Sequence, residues 1–340
     1  MLTTKLITAC IVFLSFEPAY CQIVKIGTLA PDGSTWYATL RDMGREWERA
    51  TDGELHIKIY PGGVAGDEVD MVRKMRIGQL HAAAITDVGL SSIIPEIKAF
   101  QMPMMFNSYE ELDYVRGKLA PKLEGLLANK GFIVLNWGDA GWVHIFSQKP
   151  VIYPQDLKTQ EQKIFVWAGA TETFNAWKAA GFHPVEVAAP DIFISLQTGL
   201  INTFTTTPLV ALSYQWFALA KNMCDLAYAP LCGATIITKE KWQQIPEDIR
   251  PKLLHAARSK GEKLKIEIRA MDDEAVKVME KHGLIKHSIP QKARKEWKDM
   301  TETYLYPELL AREVPQDIYM EIQGLLHEYR TRHSQGAIDE

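Results

Sequence analysis

Residues 163–208, KIFVWAGATETFNAWKAAGFHPVEVAAPDIFISLQTGLINTFTTTP, constrain the fold more tightly than any other stretch, because they read as strand, helix, strand, helix, strand. Residues 164–167 are an apolar run of strand formers, residues 173–180 close on Gly181 as a helix does, and residues 185–187 are extended again. Asp191, after Pro190, is placed to cap a second helix that stops at Gly199, a natural left-handed cap, and residues 201–204 form the last strand. Strands separated by single helices run parallel through right-handed crossovers, and ligands collect at the carboxyl ends of such strands. A binding cleft is therefore expected beside this segment.

The 340 residues, 47% hydrophobic and 24% charged, suffice for two globular domains. A net charge of -4 and 9 dispersed histidines leave no basic stripe for nucleic acid. At the amino terminus Lys5 precedes the apolar run 6–16, and small residues follow at Ala19 and Cys21, which is the pattern of a secretory signal cleaved near Cys21. That run is too short to cross a bilayer, and no later segment reaches the ~20 apolar residues of a transmembrane helix, so an exported, soluble, periplasmic protein is expected. Acylation of Cys21 is the rival reading, opposed by the bulky Tyr20 before it. Beyond the signal only Cys224 and Cys232 remain, either paired in an oxidising compartment or kept as two separate buried thiols.

Along the chain, residues 23–29 read as a first strand ending in the turn Ala30-Pro31-Asp32-Gly33-Ser34. Trp36, Leu40, Met43 and Trp47 then recur at helical steps and mark an amphipathic helix over 35–50. Residues 55–60 alternate as a second strand broken by Pro61-Gly62-Gly63; Val69, Val72, Met75 and Ile77 carry a helix stopped by Gly78, and 82–85 is a third strand. This repeats the alternation of 163–208, so the chain holds two similarly wound halves. Pro103, among the large apolar residues of 97–106, suits a crossover between domains. A helix over 109–129 and a strand over 132–137 follow, and 139–146 lies at a crossing between the halves. Residues 209–220 read as helix and 234–238 as strand; 246–282 is one helix of about 50 Å at ~1.5 Å per residue, a spine packed across both domains. Segments 291–304 and 315–332 are helical. The expected division is a signal over 1–21, a first α/β lobe from 22–145 with part of 215–250, and a second from 146–214 with part of 239–340.

Patterns for catalysis and metal binding are missing. His282 and His287 have no third ligand in spacing, and Gly62-Gly63-Val64-Ala65-Gly66 lacks the lysine and serine of a phosphate loop. With no nucleophile elbow and no paired carboxylate at an apolar site, no enzyme, cofactor or metal is expected.

The order of motifs carries a family resemblance. Ser34-Thr35-Trp36-Tyr37 is followed by Tyr60-Pro61-Gly62-Gly63 with Gly66-Asp67, then Gly78-Gln79-Leu80, Pro95-Glu96 with Phe100 and Pro103, and finally Leu196-Gln197-Thr198-Gly199 and Pro208. Together, over nearly the whole mature chain, these resemble the DctP-like solute-binding proteins of tripartite ATP-independent periplasmic (TRAP) transporters. The resemblance implies a two-domain α/β periplasmic-binding-protein fold of two doubly wound sheets, a hinge and a long spine helix, closing on a small solute and delivering it to a small and a large membrane subunit.

The chain also departs from that family. Where most members carry an arginine that grips the ligand carboxylate, this chain has Phe165; a second family arginine, after an Asn-Gly-aromatic turn, is replaced by Val143 after Ala140-Gly141-Trp142. The family's Gln-Glu-Asn-Pro run becomes Thr205-Thr206-Thr207-Pro208, which puts Thr207 where a ligand-contacting asparagine stands. A buried carboxylate without a cationic partner costs about 3 to 5 kcal/mol. The expectation is therefore an apolar cavity from Phe165, Trp167, Trp142, Val143 and Phe204, with hydroxyls from Thr205 and Thr207 to orient a hydrophobic or amphipathic ligand. Trp36 at the cleft mouth, and Thr86 and Asp87 at the end of the third strand, complete the candidate site, each with an ordinary packing or capping role as its alternative. A transport receptor is the first functional expectation; a carrier of apolar cargo working with a periplasmic accessory protein instead of a permease is the second.

Overall fold

The structure, a computed structural model, describes residues 22–158 and 162–336, with side chains up to residue 333; the signal segment 1–21 lies outside the described residues. Among the described residues nine strands order as β2-β1-β3-β8-β4-β7-β5-β6, with β9 added on β8. The strands are β1 (Gln22–Thr28), β2 (Leu55–Tyr60), β3 (Ala82–Thr86), β4 (Phe132–Ser147), β5 (Lys163–Trp167), β6 (His183–Val187), β7 (Thr203–Thr206), β8 (Asn222–Thr238) and β9 (Ile285–His287). The first half of the sheet is β1 to β3, parallel among themselves, and the second is β5 to β7, also parallel. β4 and β8 run through both halves, antiparallel to each other, so hydrogen bonding continues from one half into the next. Their ladder is irregular between Val134 and Asn136, Asp139 and Gly141, and Val143 and Ile145, where one half gives way to the other. Such bulges bend a strand pair and increase its twist. Gly141 at φ 114 occupies a backbone region that a side chain would strain.

Helices cover both faces of this sheet. In chain order they are α1 (Thr35–Ala50), α2 (Glu68–Arg76), α3 (Asp87–Ser91), α4 (Tyr109–Asn129), α5 (Thr171–Ala179), α6 (Ile192–Gln197), α7 (Pro208–Ser213), α8 (Lys239–Gln243), α9 (Arg250–Lys281), α10 (Gln291–Met300), α11 (Tyr306–Arg312) and α12 (Gln316–Gly336). Val24 and Ile26 are wholly buried on one face of β1, and Gly27 on the other is buried against Met71 and Leu80, as expected of a strand covered on both sides. Ser34 caps α1 by accepting from the Tyr37 N–H, and Leu40, Met43 and Trp47 bury its apolar stripe. Gly199, at φ 70, ends α6 as the sequence predicts.

The spine prediction holds. α9 has 32 residues, about 48 Å. Leu253 and Ala257 join the first-half core, Leu264 and Ile268 pack with Leu209 of α7, and Val276 and Met279 join the second-half core. Gly261 permits close packing: a Cβ there would stand 2.6 Å from Cβ of Asn136 on β4. Trp47 fastens α1 to the same helix, its Nε1–H donating to the Leu253 carbonyl at 3.0 Å.

Several boundaries differ from the sequence reading. β4 and β8 are far longer than predicted, because Gly138, Gly141, Pro230 and Gly233 interrupt the local strand pattern while pairing across the ladder sustains it. Residues 209–220 divide into α7 and a short 3-10 turn, Trp216–Ala218, and 291–304 passes through a π turn, Thr301–Leu305, ahead of Pro307, which has no N–H to continue the ladder. Cys224 and Cys232 are both free and buried. Eight steps along one strand separate them by roughly 26 Å, whereas a disulfide needs Cα atoms within about 7 Å.

Candidate functional site

The strand ends Thr28, Thr86, Trp167 and Thr206 converge on a cavity of about 430 Å³ between the two halves. This is where the winding of parallel strands directs a ligand. Phe165 and Trp167 of β5, Thr205 of β7, Thr86 of β3 and Trp36 of α1 all line it. Trp36 also ties the mouth to the floor, its Nε1–H donating to the Asp139 carbonyl at 3.3 Å. Across the rim, the Ala189 N–H donates to Asp67 Oδ2 at 3.2 Å, and the Tyr214 hydroxyl donates to the Leu29 carbonyl. Each of these two bonds joins one half to the other.

Other sequence-selected residues fall elsewhere. Phe204 is wholly buried, stacked on Phe146 and edge-on to Trp216. Thr207 is wholly buried too, and its hydroxyl caps α7 by accepting from the Val210 N–H. Trp142 leans on Tyr109 with ring centroids 5.5 Å apart, while Val143 lines a second chamber of about 380 Å³. Trp167, Thr205, Thr206 and Leu231 border both chambers. Asp87 is fully buried beneath the floor, its Oδ1 without a hydrogen-bond partner among the described residues.

Glu68, on the cavity wall, escaped the sequence reading because an acid in the first turn of a helix is ordinarily a surface residue. Here it caps the next helix as well: Oε1 accepts from the Thr86 N–H at 2.9 Å, and Oε2 from the Thr86 hydroxyl and the Gly89 N–H, both at 2.8 Å. Burial pushes its carboxyl up to about 7. Burial, then the neighbouring Glu68, also raises Asp87 well above the usual carboxylate range. Around the hinge, Asp272 of α9 accepts from the N–H groups of Trp142 at 3.4 Å and Leu209 at 3.2 Å, and burial raises it to about 7 as well. Beside them lies a four-charge cluster. Asp139 on β4 binds Arg116 of α4 and Arg269 of α9, and Asp113 binds both arginines, at 2.9 and 2.7 Å.

These raised carboxyls fix a pH dependence. The folded state keeps a proton on Glu68 that an unfolded carboxyl near 4.5 releases, so this stabilisation is full below pH 4.5 and is lost as pH rises toward about 7. Asp272 acts in the same direction; His144, lowered by burial from 6.5 to about 4, acts oppositely and loses its contribution as pH falls through that interval. Glu68→Gln is expected to remove a stability slope on the order of 3 kcal/mol between pH 4.5 and 7. Urea titrations of both proteins at several pH values measure it, and equal slopes would refute this role for Glu68.

A bipartite α/β molecule with an inter-lobe cavity, bulged crossing strands and a spanning helix has the build of a two-lobed binding protein. The chain belongs to the bacterial extracellular solute-binding protein family 7, DctP, whose model matches residues 26–311. Membership makes it an extracytoplasmic solute-binding protein rather than a catalyst. It is 25% identical over 300 residues to a solute-binding protein of Albidiferax ferrireducens, covering 84% of this chain and 87% of that one. A Roseobacter denitrificans solute-binding protein is 25% identical over 197 residues, and the match spans only 59% of its length. Among solved structures, a TRAP periplasmic solute-binding protein from Citrobacter koseri with bound D-glucuronate is 25% identical, with a TM-score of 0.77 over 89% of this chain and 99% of that one. One from Sulfurospirillum deleyianum with bound succinate has a TM-score of 0.82 at 18% identity, over 90% of this chain and 99% of that one.

These ligands overturn the expectation of a hydrophobic or amphipathic solute, and with it the apolar-cargo carrier: the relatives and structural neighbours take succinate, glucuronate, galacturonate and related polar carboxylates. The physical reason lies in how the aromatics are used. Phe204 is enclosed by other rings, and Phe165, only 3% exposed, packs edge-on against Trp167. The cavity wall also has a polar side supplied by Thr28, Asn136, Thr205, Thr206 and Thr235, most of it from strands whose local sequence gave no sign of it. With both family arginines replaced the lining is mostly apolar, and these few hydroxyl and amide groups are its polar part.

Proposed function

We propose that this chain is the solute receptor of a TRAP transporter, closing its inter-lobe cleft on a small polar organic acid and presenting the closed form to a small and a large membrane subunit. The observation that carries this reading is the cavity at the carboxyl ends of the parallel strands, mostly apolar in its lining but with Thr28, Thr205, Thr206, Thr235 and Asn136 among it, in a family-7 fold. Its volume of about 430 Å³ accommodates a six-carbon sugar acid within the usual range of ligand sites. The polar acids bound by the structural neighbours support the same ligand class. Under this reading the lobes are residues 22–145 with part of 215–250, and 146–214 with part of 239–340, bending at the bulges of β4 and β8. Phe165, Trp167, Thr86, Thr205 and Trp36 then contact the solute or shape its enclosure.

Thermal-shift and calorimetric titration with D-glucuronate, D-galacturonate, galactonate and succinate tests the proposal. At least one acid is expected to stabilise the protein by about 2.7 kcal/mol at a hundredfold excess over Kd. If none of the four binds, the reading fails.

A further inference from the structure

Among the described residues no lysine, arginine or histidine lines the main cavity, and the carboxyl groups on its wall belong to Glu68 and Asp139. Asp139 is already balanced, because it binds Arg116 and Arg269, which in turn bind Asp113. Glu68 has no such counter-charge. It is 1% exposed, and the hydrogen bonds it accepts come from neutral donors, the Thr86 N–H and hydroxyl and the Gly89 N–H. The groups packed around it offer no free cation either. On its own helix Arg73 is paired with Asp70, and Lys74 donates to the Ala65 carbonyl. Asp67 precedes it as the cap of α2, and α3 brings the wholly buried Asp87. From the second half come Tyr214, whose hydroxyl is spent on the Leu29 carbonyl, and the exposed Asp191, two residues after Ala189. On β1 the Lys25 N–H donates to His81 Nδ1 at 3.1 Å where β3 begins, at the end of the sheet away from the cavity.

An anion entering this enclosure meets a carboxyl on the wall and no positive charge to offset its own. Hydroxyl and amide donors can hold a carboxylate, but only a cation or a proton cancels its charge. A second observation points to protons. Asp87 Oδ1 is closed off with no hydrogen-bond partner among the described residues, which a protonated carboxyl tolerates far better than an ionised one. Building on the organic-acid reading above, we propose that solute binding is proton-linked: the organic anion enters the main cavity together with one proton, which Glu68 takes up in place of the counter-charge that a lysine or arginine would supply. The proton comes from solvent and forms an O–H bond on the Glu68 carboxyl, the solute stays ionised, and the net charge of the enclosed site is unchanged. Glu68 need not touch the solute, since like charges on the two sides of a cavity wall act through space and favour the protonated form of the wall group. Its carboxyl, already held at about 7 by burial, is poised to respond near neutral pH. Capture of the acid therefore strengthens as the surroundings acidify.

Calorimetric titration of the mature full-length protein with D-glucuronate, D-galacturonate, galactonate and succinate at pH 8, in HEPES and in Tris, counts the protons, because the two buffers differ in ionisation enthalpy. Whichever acid binds is expected to bring ~0.8 proton with it at pH 8 and almost none at pH 5.5. Its affinity should fall ~10-fold from pH 6 to pH 8, an interval over which the sugar acids stay ionised and succinate nearly so. Glu68→Gln, neutral at every pH, should take up no proton and should bind at pH 8 about as tightly as wild type does at pH 6. The proton count on wild type stands without any variant, so a Glu68→Gln protein that fails to fold leaves the test intact. An acid that binds wild type with no proton uptake at pH 8, or with an affinity that changes less than ~2-fold from pH 6 to pH 8, overturns the inference and leaves the receptor reading standing. Uptake that persists in Glu68→Gln, as it would if Asp272 at the hinge were the acceptor, overturns it as well. Failure of all four acids to bind wild type removes the receptor reading and this inference together.

Discussion

Replacement of Asp139 by alanine is expected to cost about 3 to 5 kcal/mol of stability. The Asp139 side chain is 1% exposed and is clasped by Arg116, itself 8% exposed, and by Arg269. With Asp113, the four charges cancel in pairs. Removing Asp139 leaves one buried guanidinium in excess, with water largely shut out, so the loss is that of an uncompensated charge rather than of one ion pair. The cluster also joins α4, β4 and α9, so the damage should reach the hinge. Urea denaturation of Asp139→Ala, and of Asp139→Asn, which keeps the shape without the charge, measures the effect. A loss below about 1 kcal/mol in both would place the cluster among surface-like pairs of little weight.

Gly233→Ala is expected to be nearly as severe, at about 3 kcal/mol, for a different reason. A Cβ at this position would lie 2.5 Å from the carbonyl oxygen of Ile85 and 3.1 Å from Cα of Thr86. Both neighbours are backbone atoms of the adjacent strand, with no flexible side chain to yield. β3 and β8 must therefore separate at Thr86↔Gly233, the last pair of their ladder and part of the cavity floor. Solute affinity should fall along with stability. Gly125→Ala, on an open helix surface where a Cβ meets nothing within 4 Å, is the matched control. Equal stability of the two variants would mean that the floor tolerates the added methyl.

Much of this architecture is legible in the sequence because it is local. The steps of Leu40, Met43 and Trp47, the run before Trp167 and the glycine after α6 each encode one element without reference to the rest. Of the five sequence-selected residues that line the cavity, Phe165, Trp167 and Thr205 came from the family comparison, Trp36 from the cleft mouth, and Thr86 from the rule that ligands sit at strand ends. What stayed hidden depends on pairs remote in the chain. Lys98 meets Glu313 from 215 positions away (313 − 98), and Glu68 acquires its raised carboxyl only when Thr86 and Gly89 fold over it. The apolar-solute expectation failed for the same reason: Phe204 looks available on its strand, and only the stacked Phe146 and the edge of Trp216 show that it is not.

The two hydrogen bonds across the cleft rim have a thermodynamic meaning for the empty receptor. Ala189 reaches Asp67, and Tyr214 reaches the Leu29 carbonyl, only while the halves are together. At about 1 kcal/mol net each, they bias the shut form by roughly 30-fold over the same chain without them. A solute arriving from the periplasm can enter only during the remaining open fraction, so apparent affinity is set partly by residues that never touch it. Selection at the rim can therefore retune how often the empty molecule rests shut, while the chemistry of recognition stays unchanged.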